Sequence, residues 1–217
     1  MSWILRVFCL CVVTTAVASG EDGSSKAFSV REALSSAVPA DQTPPERWAL
    51  LIGSSSYRDV RIPALPACAN DARTLRDVLV NPEVGLFESD HVVLLVEEEV
   101  TREKVVDALE KLGRAAGPED LVVVFFSGHG ATDEKGRAYW VMHDTAVDKL
   151  RATAVPETDV TELLGEIKTR RLVTLIDACY SASTANMGQS KSLLDLKTIF
   201  PQFKGDGRVM ISASKGD

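Results

Sequence analysis

Residues 121–130 read LVVVFFSGHG. Six apolar residues, five of them β-branched or aromatic, run without a polar break into Ser127-Gly128-His129-Gly130. A run this short and this rich in Val and Phe predicts a strand covered on both faces, as strands of parallel sheets are. Its end is harder to explain as packing. Glycines on both sides of His129 let another backbone approach closely and leave a main-chain N–H to point at a developing negative charge.

The same pattern recurs along the chain. WALLIG (48–53), HVVLLV (91–96), RLVTLID (171–177) and RVMISAS (208–214) are further short apolar runs. Between them lie amphipathic helices. Asn70-Asp71 is placed to cap one, with Ala72, Leu75, Val78 and Leu79 on a common face. Thr101 opens a second, with Val105, Leu109 and Leu112 inward. Val160, Leu163, Leu164 and Ile167 mark a third, with Asp159 and Glu162 at capping-box spacing. AYWVM (138–142) reads as a hairpin arm whose aromatics pack. Apolar strands alternating with amphipathic helices predict an α/β fold, a three-layer α/β/α sandwich around a mostly parallel sheet. The chain has no internal repeat.

In such a sheet, ligands bind beyond the carboxyl ends of the strands. Two runs end in reactive groups there: the one carrying His129, and the one delivering Asp177-Ala178-Cys179-Tyr180-Ser181. A thiol is mostly protonated near neutrality, and a nearby imidazolium stabilises the thiolate that attacks. The imidazole then protonates a leaving amine. Either residue alone is ordinary: a His in a loop, or a Cys acting as a small hydrophobe. Together at one sheet edge they predict a nucleophile and its acid/base.

The composition is that of a globular protein, 45% hydrophobic and 25% charged over 217 residues, enough for one domain with a real core. A net charge of −7 and no cluster of Lys or Arg exclude nucleic acid as an expected partner. Residues 1–18 read as a secretory signal peptide, with one early Arg6, an apolar run over 7–17 and a small-residue site at Ala16-Val17-Ala18. That run is too short to span a bilayer, so no stable membrane anchor is expected and the mature chain is placed as secreted or periplasmic. Of four cysteines, Cys9 and Cys11 would leave with the leader. Cys68 and Cys179 remain; either they pair with each other or at least one serves chemistry. Residues 19–45, with Pro44-Pro45, read as a linker or propeptide, and 46–217 as the domain itself.

WALLIG, CANDA (68–72), VVVFFSGHG (122–130) and LIDACYS (175–181) follow one another as they do in the caspase-like cysteine peptidases. The chain resembles that family, in its metacaspase and bacterial caspase-homologue branch. Its His and Cys are fifty residues apart, close to the caspase spacing. The resemblance implies a cysteine endopeptidase with catalytic Cys179 and His129 and an oxyanion hole from the backbone N–H groups of Gly130 and Cys179. No third triad member follows from the sequence. It also implies that Asp71, Asp177 and Ser127 line the substrate pocket; two carboxylates there favour polypeptide substrates with Arg or Lys before the cleaved bond. Asp71 as a helix cap and Asp177 as a strand terminator are the plainer alternatives.

Similar enzymes have a Cys near position 68, and in an oxidising compartment Cys68 and Cys179 could form an inactivating disulfide. No cofactor or resident metal is expected. Calcium, which some metacaspases need, has candidate ligands in Asp144 and Asp159, with Asn186 where a further acid would help, but solvated surface acids fit these residues better. The 184–207 segment, bearing Lys191, Lys197 and Lys204, resembles the loop that relatives cleave in themselves, and cleavage is expected after Lys191. The chain departs from the family at Asp177, where caspases proper have Gln, at Tyr180, where metacaspases commonly have His, and at Ala182, where Gly is usual. It is expected to lack the family's last helix and strand, which would bare a sheet edge and invite self-association. The alternative function is then a catalytically inactive caspase-like binding module.

Overall fold

The computed structural model describes residues 44–181 and 207–213, with the backbone alone at 179–181 and 213. The expected leader at 1–18 and nearly all of the 19–45 and 184–207 segments, with Asn186 and Lys191, fall outside the described residues. The strands are β1 (Arg47–Gly53), β2 (Val92–Val96), β3 (Leu121–Thr132), β4 (Ala138–Trp140), β5 (Val155–Pro156), β6 (Arg171–Ser181) and β7 (Arg208–Ala213). All five expected runs are parallel strands, in the spatial order β2-β1-β3-β6-β7. The hairpin arm is also present: β4 runs antiparallel to β3, and β5 antiparallel to β4.

Four helices connect the described strands: α1 (Cys68–Val80), α2 (Arg102–Ala115), the single turn α3 (Leu150–Thr153) and α4 (Glu157–Glu166). Because side chains alternate across a strand, successive residues of β3 serve opposite layers. Val123 and Phe125 pack with Ala49, Leu51 and Leu175 against Ala72, Leu75 and Leu79 of α1. Val122, Val124 and Phe126 pack with Leu50, Ile52 and Ile176 against α2 and α4, through Val105, Leu109, Val160 and Leu164. Each such fully buried side chain contributes roughly 1.5–3 kcal/mol of burial energy. This is the three-layer sandwich with a mostly parallel sheet.

Two caps differ from expectation. Helix α1 begins at Cys68, so Asn70 and Asp71 sit in its first turn rather than at its cap. Its free N–H groups are served from another element, since Ala69 N–H donates to Ser55 Oγ at 2.8 Å. Helix α4 begins two residues before Asp159, after Pro156, and no side chain caps it. Asp159 instead pairs with Arg102 at 3.5 Å. Thr101 does cap α2, accepting from Lys104 N–H.

The feature that matters for function is a mismatch of strand lengths. The expected end of the third strand at Ser127–Gly130 is not an end: β3 continues to Thr132, and β6 follows it in register to Ser181. β1 stops at Gly53, which is paired with Ser127, and β2 stops beside it at Val96. The edge of β3 that β1 leaves is taken up again by β4 from Gly130 onward. His129 and Cys179 therefore lie inside long strands, just past the end of a short one. No helix among the described residues is long and apolar enough to cross a membrane.

Candidate active site

Two register rows cross the sheet where β1 ends. Gly53, Ser127 and Asp177 form the first, on three adjacent strands. His129 and Cys179 form the second, two residues further along β3 and β6 and directly opposite each other. Neighbouring parallel strands lie about 4.8 Å apart, so the two positions are adjacent on one face of the sheet. That face is the one covered by α1, since 123, 125, 127 and 129 alternate with the residues that meet α2 and α4.

Gly53 admits α1 to this corner. A Cβ there would stand 2.5 Å from the Cys68 carbonyl oxygen and 2.8 Å from Ala69 Cα. The close approach brings the first turn of α1, with Cys68 and Asp71, over the first row. Cys68 is a free, buried thiol hydrogen-bonded to Ser127. Burial pushes its pKa up to about 11; the carboxylates of Asp177 and Asp71 add to the rise, and the Ser127 hydrogen bond opposes it. Asp71 and Ser127 are buried, and Asp177 is half-buried. The structure thus assembles Asp71, Ser127 and Asp177 around one point, with negative potential felt there by a thiol. Gly130 sits between Trp140 of β4 and Tyr180 of β6 in register, next to His129.

His129 is held by the connection between β1 and α1. Its Nε2 lies 2.9 Å from the Pro63 carbonyl oxygen. A carbonyl only accepts, so Nε2 carries the proton and Nδ1 is left as the basic nitrogen. Burial lowers the imidazole pKa, and the Pro63 hydrogen bond partly offsets this. Pro63 is fixed by its neighbour Ile62, which is buried against Ala131, Tyr139, Val141 and Leu150. Asp59 braces the same loop, accepting from Val147 N–H at 3.0 Å and from the Arg61 guanidinium, which also pairs with Asp148. The sequence offered no sign of Pro63, because a main-chain carbonyl has no side-chain signature. Tyr57, whose ring tilts against that of His129 at a centroid distance of 5.3 Å, also escaped the sequence reading.

The calcium candidates do not converge on this site. Asp144 and Asp159 line a groove between α2 and α4, on the far face of the sheet, where Arg102, Lys104 and Lys168 also lie. Among the described residues no three His, Cys, Asp or Glu side chains are placed to share a metal ion. Asp159 faces Arg102, a calcium ion needs six or more oxygens, and Asn186 lies outside the described residues.

Residues 46–212 match the family model of the caspase domain, Peptidase C14. Metacaspase-1 of Plasmodium falciparum (isolate 3D7) is 32% identical over 95 residues, which are 41% of this chain and 15% of that protein. Among solved structures, a protein of Geobacter sulfurreducens superposes with a TM-score of 0.51 at 23% identity, over 64% of this chain and 52% of its own. Pro-sf-caspase-1 superposes with a TM-score of 0.40 at 13% identity, over 70% and 55% respectively. The Geobacter likeness is one of fold, and this chain spans about half of that protein. With the family model matched from just before β1 into β7, the chain belongs to the caspase-domain family of peptidases.

Proposed function

We propose that the protein is a cysteine endopeptidase that cuts after Arg or Lys, with Cys179 as nucleophile and His129 as general acid and base. The observation that carries this reading is the direct register of His129 with Cys179 beyond the end of β1, with Nε2 of His129 tied to Pro63. Nδ1 of His129 takes the thiol proton as the sulfur attacks the carbonyl carbon. The main-chain N–H groups of Gly130 and Cys179 receive the oxyanion. The imidazolium then gives its proton to the departing amine, leaving a thioester that water hydrolyses with His129 acting as base again.

Asp71, Asp177 and Ser127 receive the side chain before the cleaved bond. The two carboxylates that raise the Cys68 pKa would attract a guanidinium or ammonium group for the same electrostatic reason. A substrate carboxylate would meet like charge. Residues 1–18 would direct the enzyme out of the cytoplasm.

The test is a panel of peptides differing only before the scissile bond, with Arg, Lys, Asp or Ala there. They are offered to reduced protein with and without calcium, alongside Cys179→Ala and Asp177→Asn. Cleavage after Arg or Lys, lost in Cys179→Ala and with its basic preference weakened at least tenfold in Asp177→Asn, is expected. Cleavage after Asp would reject the pocket and keep the nucleophile. No turnover from folded protein would favour an inactive binding module.

A further inference from the structure

The seam between β1 and β4 leaves one rung of the β3 ladder without a strand to fill it. Ser127 C=O is taken by Ser54 N–H at 2.9 Å, where β1 runs out. His129 C=O is taken by Val141 N–H at 2.9 Å, where the chain leaves β4. The His129 N–H points to the same edge as its carbonyl, into the gap between them. There it donates to the Tyr57 hydroxyl at 3.2 Å, and that hydroxyl donates to Ser54 C=O at 3.0 Å.

We propose that Tyr57 is a positioning residue for His129: its phenol replaces the missing strand rung and fixes the backbone from which the imidazole projects. The inference rests on the His129–Cys179 reading above. Three constraints then act on one residue. Tyr57 holds the main-chain N–H of His129, Val141 holds its C=O, and Pro63 holds Nε2. The ring of Tyr57 packs against the cluster around Ile62 and Tyr139, so the phenol is anchored to the same small core as Ile62, the neighbour of Pro63. Burial pushes the Tyr57 hydroxyl pKa up to about 12, which keeps it neutral and able to donate and accept together at any working pH. Sequence reading overlooks such a residue because its function depends on where two strands stop.

The decisive variant is Tyr57→Phe in the full chain, which keeps the ring and removes only the bridging oxygen. Its kcat on an Arg-containing peptide should fall about tenfold, with KM within about twofold of the parent. Amide hydrogen exchange at His129 should accelerate, while exchange over Val122–Phe126 stays protected. An unchanged kcat, or unchanged exchange at His129, would overturn the inference. A rise in KM matching the fall in kcat would also overturn it, since that would mark a substrate contact or general loosening. His129→Ala measured alongside separates the two ideas. If it turns over like the parent, the Cys–His reading fails; if it is dead while Tyr57→Phe is normal, only the role of Tyr57 fails. Should the parent itself show no turnover, exchange at His129 still decides whether Tyr57 holds that backbone.

Discussion

Replacing Gly53 by Ala adds a single methyl group at the point where sheet, helix and site meet. Built on the existing backbone, that methyl would lie 2.5 Å from Cys68 O, 2.8 Å from Ala69 Cα and 2.9 Å from Ala72 Cβ. Comfortable carbon contacts need about 3.5–4.0 Å. The first two atoms belong to the α1 main chain, so no side-chain tip can swing away. The first turn of α1 must therefore move by about 1 Å or the end of β1 must bend. Overpacking of this kind costs roughly 1–3 kcal/mol. The smaller conformational freedom of Ala in the unfolded chain returns about 0.5 kcal/mol. A net loss of about 1.5 kcal/mol follows, or about 5 °C in Tm for a domain of this size.

Urea unfolding should show a lower midpoint with an unchanged m-value, because the same surface is exposed on unfolding. The displacement carries Cys68 and Asp71 away from Ser127 and Asp177, so KM for an Arg peptide should rise more than kcat falls. A Gly53→Ala protein as stable as the parent, with unaltered KM, would refute the close packing of α1 on β1 as the element that closes the pocket.

Two further expectations concern opposite ends of the sheet. Burial holds the His129 pKa below its ordinary value, so at intermediate pH the unfolded chain binds a proton that the folded chain does not. The stability due to His129 is complete above about pH 6.5 and is lost as pH falls through the lower, folded pKa. Between about pH 7 and pH 5 the urea midpoint of the parent should therefore drop further than that of His129→Gln, and parallel curves would count against a half-buried neutral imidazole. At the far end, Asp120 accepts from Glu46 N–H at 2.7 Å, Gly117 N–H at 2.7 Å and Trp48 Nε1–H at 3.2 Å. Asp120→Ala should cost about 2 kcal/mol while leaving KM and kcat intact, and altered kinetics in a folded variant would show that the two ends are coupled.

The layers of the fold were legible because each is written as a local period. Val122 to Phe126 are apolar at every position, and alternate members serve apolar layers on the two faces, with α1 on one side and α2 with α4 on the other. Helix starts were less legible, because the first turn of α1 is satisfied by Ser55, fourteen residues before Ala69. Spacing could not show that either. The pairing of His129 with Cys179 followed from two similar strand ends, and the register agrees with it. Where those strands end did not follow. Gly-His-Gly looks like punctuation, yet β4 and β6 flank it on both edges and draw it into the sheet.

The same strand-length mismatch accounts for both halves of the site. Had β1 continued beyond Gly53, it would have covered the β3 edge at His129 and left no room for Tyr57. Had it stopped earlier, Ser127 would have lost its partner and α1 its seat against Gly53. Stopping where it does turns the chain through Ser54 to Pro63, so that one connection supplies the Ser55 oxygen to α1 and the Tyr57 hydroxyl and Pro63 carbonyl to His129. The proposed pocket and the proposed base would thus be positioned by separate groups of one braced loop. That is why Gly53→Ala should act mainly on KM and Tyr57→Phe mainly on kcat: the first displaces α1 over the row of Ser127 and Asp177, the second frees the row of His129 and Cys179.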